Sequence, residues 1–144
     1  HVVVAGDHAP SFVDHVADKT RAEGNDLQIL ERSTPFFIWA NYPLENIDAA
    51  TSTADSLNRM DMVMLAPTIA QQAGLPLTGY YKYLLAMKQQ TPVVTAANDY
   101  MKVDGTTGTY GEDESLDAWV KGYLALEYNN IGAHAKRVQS IFGQ

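Results

Sequence analysis

Asp7 and His8 stand side by side directly after Val2-Val3-Val4-Ala5-Gly6. A carboxylate oxygen next to an imidazole nitrogen is a donor pair for a divalent metal such as Mn²⁺ or Zn²⁺. A tight turn capped by its own aspartate would carry the same residues. His15 follows closely enough to contact a phosphate held there, or it is a histidine on a helix surface. His1 lies at a chain end and His134 in an exposed tail. The run Glu112-Asp113-Glu114 offers carboxylates, whose simplest use is at the positive end of a helix. Ser52, Thr53 and Ser56 have no nearby base with which to form a nucleophile. Tyr80, Tyr81 and Tyr83 offer either a platform for a sugar or lipid, or ordinary helix core and rim.

The elements that must position these groups alternate between strand and helix. Three consecutive valines predict a buried strand that Gly6 ends. Its carboxyl end, where open α/β sheets bind ligands, is where Asp7 and His8 emerge. Pro10 and Ser11 begin a predicted helix carrying Phe12, Val13, Val16 and Ala17, and Gly24-Asn25-Asp26 reads as a turn. Thr34 to Ala40 is continuously apolar and aromatic, a strand expected to be buried on both faces, with Trp39 in the core. Residues 45–58 read as a surface loop or short helix. Helices are predicted over Met62–Ala73, stopped by Gly74 and Pro76, and over Tyr80–Gln90, with Tyr81, Leu84, Leu85 and Lys88 on successive turns.

Thr91 to Thr95 is a short strand, and Asp104-Gly105 marks the turn of a hairpin within residues 99–111. Leu116, Trp119, Val120, Tyr123, Leu124 and Glu127 follow helical spacing over Ser115–Tyr128, with Trp119 anchoring that helix. Asn129 to Gly132 ends it, and residues 133–144 form a loose tail. Strands separated by helices make the fold class α/β, with a small α+β annex at the C-terminal end.

Composition narrows the function classes. A length of 144 residues is enough for one core, so residues 1–144 read as one domain or part of one. No apolar run reaches the roughly 18–20 residues of a membrane span. A formal charge of −7 argues against nucleic acid as a partner. The absence of cysteine excludes disulfides, thiolate metal sites and cysteine nucleophiles. The chain opens on His1 and is in strand within a residue, which reads as part of something longer.

Four segments, in order, carry a resemblance. They are Val4-Ala5-Gly6-Asp7-His8-Ala9-Pro10; Thr34-Pro35-Phe36-Phe37-Ile38-Trp39-Ala40-Asn41-Tyr42; Leu65 through Leu77, continuing through Tyr80-Tyr81-Lys82-Tyr83-Leu84-Leu85 to Pro92-Val93-Val94; and Trp119-Val120-Lys121-Gly122-Tyr123 with Leu126-Glu127-Tyr128-Asn129. Together they resemble the lipoteichoic acid synthase family, membrane-anchored phosphoglycerol transferases of the alkaline phosphatase and sulfatase superfamily. The Ala-Pro-Thr helix ending in Ala-Gly-Leu-Pro is also similar to that of ordinary sulfatases.

The resemblance implies the C-terminal portion of an alkaline phosphatase/sulfatase-like domain, a sheet flanked by helices. It implies that Asp7 and His8 ligate Mn²⁺ or another divalent cation. A further acidic ligand, a threonine nucleophile and a substrate-binding histidine would lie earlier in the domain, as would the membrane helices. The implied partners are that N-terminal part of the catalytic domain and, as substrate, phosphatidylglycerol or another anionic ester. The implied location is the extracellular face of a bacterial membrane. In the implied reaction the threonine attacks the lipid phosphodiester, diacylglycerol leaves, and the glycerophosphoryl group passes to a growing chain end. The chain alone is expected to be inactive, and an exposed sheet edge would favour a homodimer. The alternatives are a sulfatase or phosphodiesterase of the same superfamily, and a metal-free folding or interaction module.

Overall fold

The computed structural model describes residues 2–8, 23–41, 59–132 and 136–143. His1, the helix predicted from Pro10, His15, the segment 45–58 and His134 lie outside the described residues. Within them the chain is mixed α and β, with five α-helices and two small antiparallel sheets.

β1 (Val2–Ala5) pairs antiparallel with β2 (Phe36–Trp39), setting Val2 opposite Trp39 and Val4 opposite Phe37. The strands fall where the apolar runs predict them, but the expected burial does not follow. Val2, Val4, Phe37 and Trp39 share one face and are 46–57 % exposed. Trp39 is therefore not a core residue. A continuous apolar strand signals cover on both faces, and a ribbon of two strands has only one face turned toward the rest of the described chain.

Between these strands lies α1 (Gly24–Glu31), where the sequence reads as a turn. Gly-Asn-Asp composition suits a turn and a helix start alike. Here Glu23 is extended, Gly24 takes φ +56°, and Asp26 lies in the first helical turn. The helix is fastened to a second sheet: Asn25 Nδ2 donates to Thr109 Oγ1 at 3.2 Å, and Thr107 Oγ1 donates to Asp26 Oδ1 at 2.6 Å. That sheet runs β3 (Val93–Val94), β4 (Asp99–Met101) and β5 (Thr107–Thr109), antiparallel throughout. Asp104-Gly105 makes the predicted turn, with Gly105 at φ +87° and Asp104 Oδ1 accepting from Thr106 N at 2.9 Å.

The helical half has well-formed ends. A 3₁₀ turn (Met62–Met64) begins where Asp61 Oδ1 accepts from Val63 N, then α2 (Leu65–Gln72) follows. It closes in a Schellman arrangement: Leu75 N donates to Ala70 O, Gly74 N donates to Gln71 O, and Gly74 takes φ +65°. Thr78 caps α3 (Gly79–Lys88) through Tyr81 N. The inward face of α3 is Tyr80, Leu84 and Met87, not Tyr81, Leu85 and Lys88. Asp113 caps α4 (Glu114–Ile131), accepting from the Ser115 and Leu116 amides, and Lys102 Nζ lies 2.7 Å from its other oxygen. Those partners hold the Asp113 carboxyl well below the usual range, Lys102 foremost. The run at 112–114 thus serves a helix start.

Met64, Met87 and Val120 form one buried cluster, and Tyr80, Leu84 and Phe142 another. Phe142 belongs to α5 (Gln139–Phe142), in the stretch read as a loose tail. Its ring lies 5.3 Å from that of Tyr80, with the Arg137 guanidinium 5.2 Å from its centre. Ile141 packs beside it against the same cluster.

Trp119 does anchor α4. Its ring lies 5.2 Å from that of Tyr83, whose hydroxyl donates to Trp119 O at 2.7 Å. This contact depends on Gly122, because a Cβ there would collide with the Tyr83 hydroxyl and lie 3.0 Å from Cζ. Alanine would gain about 1 kcal/mol of helix propensity, yet displacing Tyr83 is expected to make Gly122→Ala destabilising by roughly 1–2 kcal/mol net. Urea unfolding checks this, and adding Tyr83→Phe should restore most of the loss, since the hydroxyl is the obstacle.

Candidate functional site

Gly6 sets the geometry at the end of β1. Its N–H donates to Pro35 O at 3.0 Å, and its carbonyl accepts from Thr34 Oγ1 at 2.9 Å. A Cβ on Gly6 would lie 2.9 Å from Thr34 Cβ, so only glycine allows this approach without a shift. The turn is thereby pinned to the start of β2, and the next two side chains project from a fixed point.

Asp7 Oδ1 accepts from the His8 amide at 3.0 Å, and Asp7 Oδ2 lies 3.7 Å from His8 Nε2. Both side chains are largely exposed, 90 % for Asp7 and 78 % for His8. Two ligand atoms each about 2.1 Å from one ion can stand at most about 4.2 Å apart, so this spacing admits a shared cation with little rearrangement. Among the described residues no three His, Asp or Glu side chains group into a metal site. Among the described residues, Asp7 and His8 stand here as neighbours.

Asp7 also lines a cleft of about 550 Å³. Ile29, Phe36, Met60 and Val93 form apolar walls, and Arg32, Arg59 and Asp61 supply charge. Arg32 is oriented by Gln28, donating from Nη1 to its carbonyl at 3.2 Å and to its side-chain oxygen at 2.7 Å. Burial pushes the Asp61 carboxyl up, and the nearby negative charge of Glu127 adds to this, against the Val63 amide. Two arginines and one aspartate thus line the cleft beside Asp7.

Comparison of the chain with models of protein families, with curated proteins and with solved structures finds no match.

Asp7 and His8 follow β1 after Gly6, but that strand lies in a two-stranded antiparallel ribbon rather than in an open α/β sheet of the kind that binds ligands at its strand ends. The tyrosines divide: Tyr80 is buried, and Tyr83 supports Trp119. Thr34, Arg32, Arg59 and Asp61 escape a reading by motif. Thr34 reads only as the start of a strand, and the two arginines come from separate segments that the fold brings to one cleft. Asp61 alone has a local signal, an aspartate just ahead of a helix.

Proposed function

We propose that this chain is the C-terminal part of the catalytic domain of an extracellular, metal-dependent phosphoglycerol transferase, similar to lipoteichoic acid synthases and acting on phosphatidylglycerol or another anionic ester. The observation that carries this reading is Asp7 beside His8 at the end of β1, where Thr34 holds the Gly6 carbonyl and Asp7 lines a cleft with two arginines. It stands with the four ordered segments that resemble the family.

A bound Mn²⁺ supplies Lewis acidity toward phosphate oxygens. Asp7 and His8 would hold it through a carboxylate oxygen and an imidazole nitrogen. Gly6, bonded to Thr34 and Pro35, fixes the backbone from which the two side chains project. Arg32 and Arg59 offset the charge of the ester, and Ile29, Phe36 and Met60 exclude water from one side. The nucleophile and the remaining ligands come from the rest of the domain, whose helices anchor it. No described helix of this chain is long and apolar enough to cross a membrane.

The test is the protein as its own cell makes it, purified in detergent and given phosphatidylglycerol with Mn²⁺. Diacylglycerol release with transfer of glycerophosphate is expected, falling at least about 100-fold in Asp7→Ala and in His8→Ala, in line with the loss of a metal ligand. Release without transfer, or cleavage of aryl sulfates instead, would reassign it to the hydrolases of the superfamily. Full activity in both variants would remove the reading altogether.

A further inference from the structure

α4 carries an apolar row that its own chain leaves in water. Leu124, Tyr128 and Ile131 are 56 %, 65 % and 74 % exposed. With Asp117 and Lys121 they recur alternately four and three residues apart, the spacing of a seam along which one helix pairs with another. Charge is divided along this row. Glu114 and Asp117 occupy the first turn of the helix. Lys136 and Arg137, both exposed, lie beside its last turns, because Asn129 Nδ2 donates to Lys136 O at 3.0 Å and Asn129 Oδ1 accepts from Val138 N at 3.0 Å. The row thus runs from an acidic end to a basic one, with its apolar residues between.

We infer that this face pairs with the same face of a second copy of the chain, the two α4 helices running antiparallel. The pattern complements itself in that direction alone. A two-fold axis near Leu124 sets Glu114 and Asp117 of each copy toward Lys136 and Arg137 of the other, at both ends of the contact. A parallel pair would set acid beside acid and base beside base. Near the axis Leu124 meets its own copy, and Lys121 comes to the partner's Tyr128, whose ring face attracts a cation. An anionic membrane is a poor occupant for the same face, since the chain carries a net charge of −7. A helix of 18 residues is about 27 Å long, and one helix pair of that length falls below the roughly 1,200 Å² of a standard interface, so the pairing is weak and reversible. It is a helix contact, separate from the sheet edge that the sequence suggests.

The experiment is sedimentation equilibrium of the full chain at low salt, from about 10 μM to about 1 mM. The mass is expected to rise from 15.8 kDa toward twice that value, with a dissociation constant on the order of 100 μM. Ile131→Ser changes a side chain that the fold leaves 74 % exposed, and should weaken association at least about tenfold. Glu114→Lys and Lys136→Glu should each weaken it about fivefold, since each brings like charges together at both ends. An equimolar mixture of those two variants should recover the wild-type affinity, because the mixed pair has opposite charges at each end. A chain still monomeric at the highest concentration overturns the inference. So does a dimer that Ile131→Ser leaves unchanged, which would lie at the sheet edge instead. A mixture that associates no more tightly than its two components overturns the antiparallel arrangement and the inference with it.

Discussion

Replacing Leu84 by alanine lowers the free energy of unfolding by about 3 kcal/mol, whereas Trp39→Ala costs less than about 1 kcal/mol, although the tryptophan is the larger side chain. Leu84 is 1 % exposed and lies in the cluster with Tyr80 and Phe142, on the face of α3 that α5 covers. Its neighbours are rings and helices held by capped ends, so the space left behind collapses little and the cavity adds to the lost transfer energy. Trp39 is 55 % exposed and stands opposite Val2 across the ribbon. Half its surface is already in water, and truncating it leaves no enclosed void. Urea unfolding of both variants measures the difference. A larger loss for Trp39→Ala than for Leu84→Ala would place the core in the β1–β2 ribbon and reverse the packing described above.

The same contrast shows which parts of the structure the sequence made legible. Signals that act over a few residues read true. The Asp104-Gly105 turn and the Gly74 stop are of this kind, since φ > 0 and a caging aspartate are settled locally. So is the negative run before α4. Burial is different, because it belongs to a residue's neighbours. Three valines and Phe36-Phe37-Ile38-Trp39 announce a wish for cover on two sides, and cannot say whether the chain in hand supplies it. The Gly24-Asn25-Asp26 run misleads for a related reason: its composition is common to turns and helix starts, and the docking of Asn25 and Asp26 on Thr109 and Thr107 decides between them. For the site, adjacency made Asp7 and His8 conspicuous. Thr34, Arg32 and Arg59 become relevant only after β2, α1 and the segment at residue 59 have been brought to the same cleft.

Raising the pH above 10 destabilises the fold steeply, and Tyr80→Phe makes that alkaline decline shallower. Tyr80 donates its hydroxyl to Glu127, binding α3 to α4 beneath the Phe142 ring. Burial, then the Glu127 hydrogen bond and charge, hold the Tyr80 phenol far above its ordinary value of 10. Burial and the charges of Glu127 and Asp61 push Tyr123 up to about 12, and burial raises Tyr83 as well. The sign follows from linkage. Between pH 10 and about 12 the unfolded chain loses phenolic protons that the folded chain retains, so unfolding releases protons and stability falls as pH rises. Below pH 10 both states keep those protons, and this contribution is constant. Phenylalanine at position 80 removes one titrating group, hence the shallower fall. At neutral pH the same variant is expected to lose roughly 2 kcal/mol, because Glu127 keeps its charge and gives up its donor in a half-buried place. Glu127→Gln keeps an acceptor without the charge and should lose less. Urea midpoints of the two single variants and the double variant, at pH 7 and again at pH 11, test both parts. A wild-type midpoint unchanged at pH 11, or an additive double-mutant cycle at pH 7, would mean that the Tyr80–Glu127 bond contributes nothing to holding the two helices together.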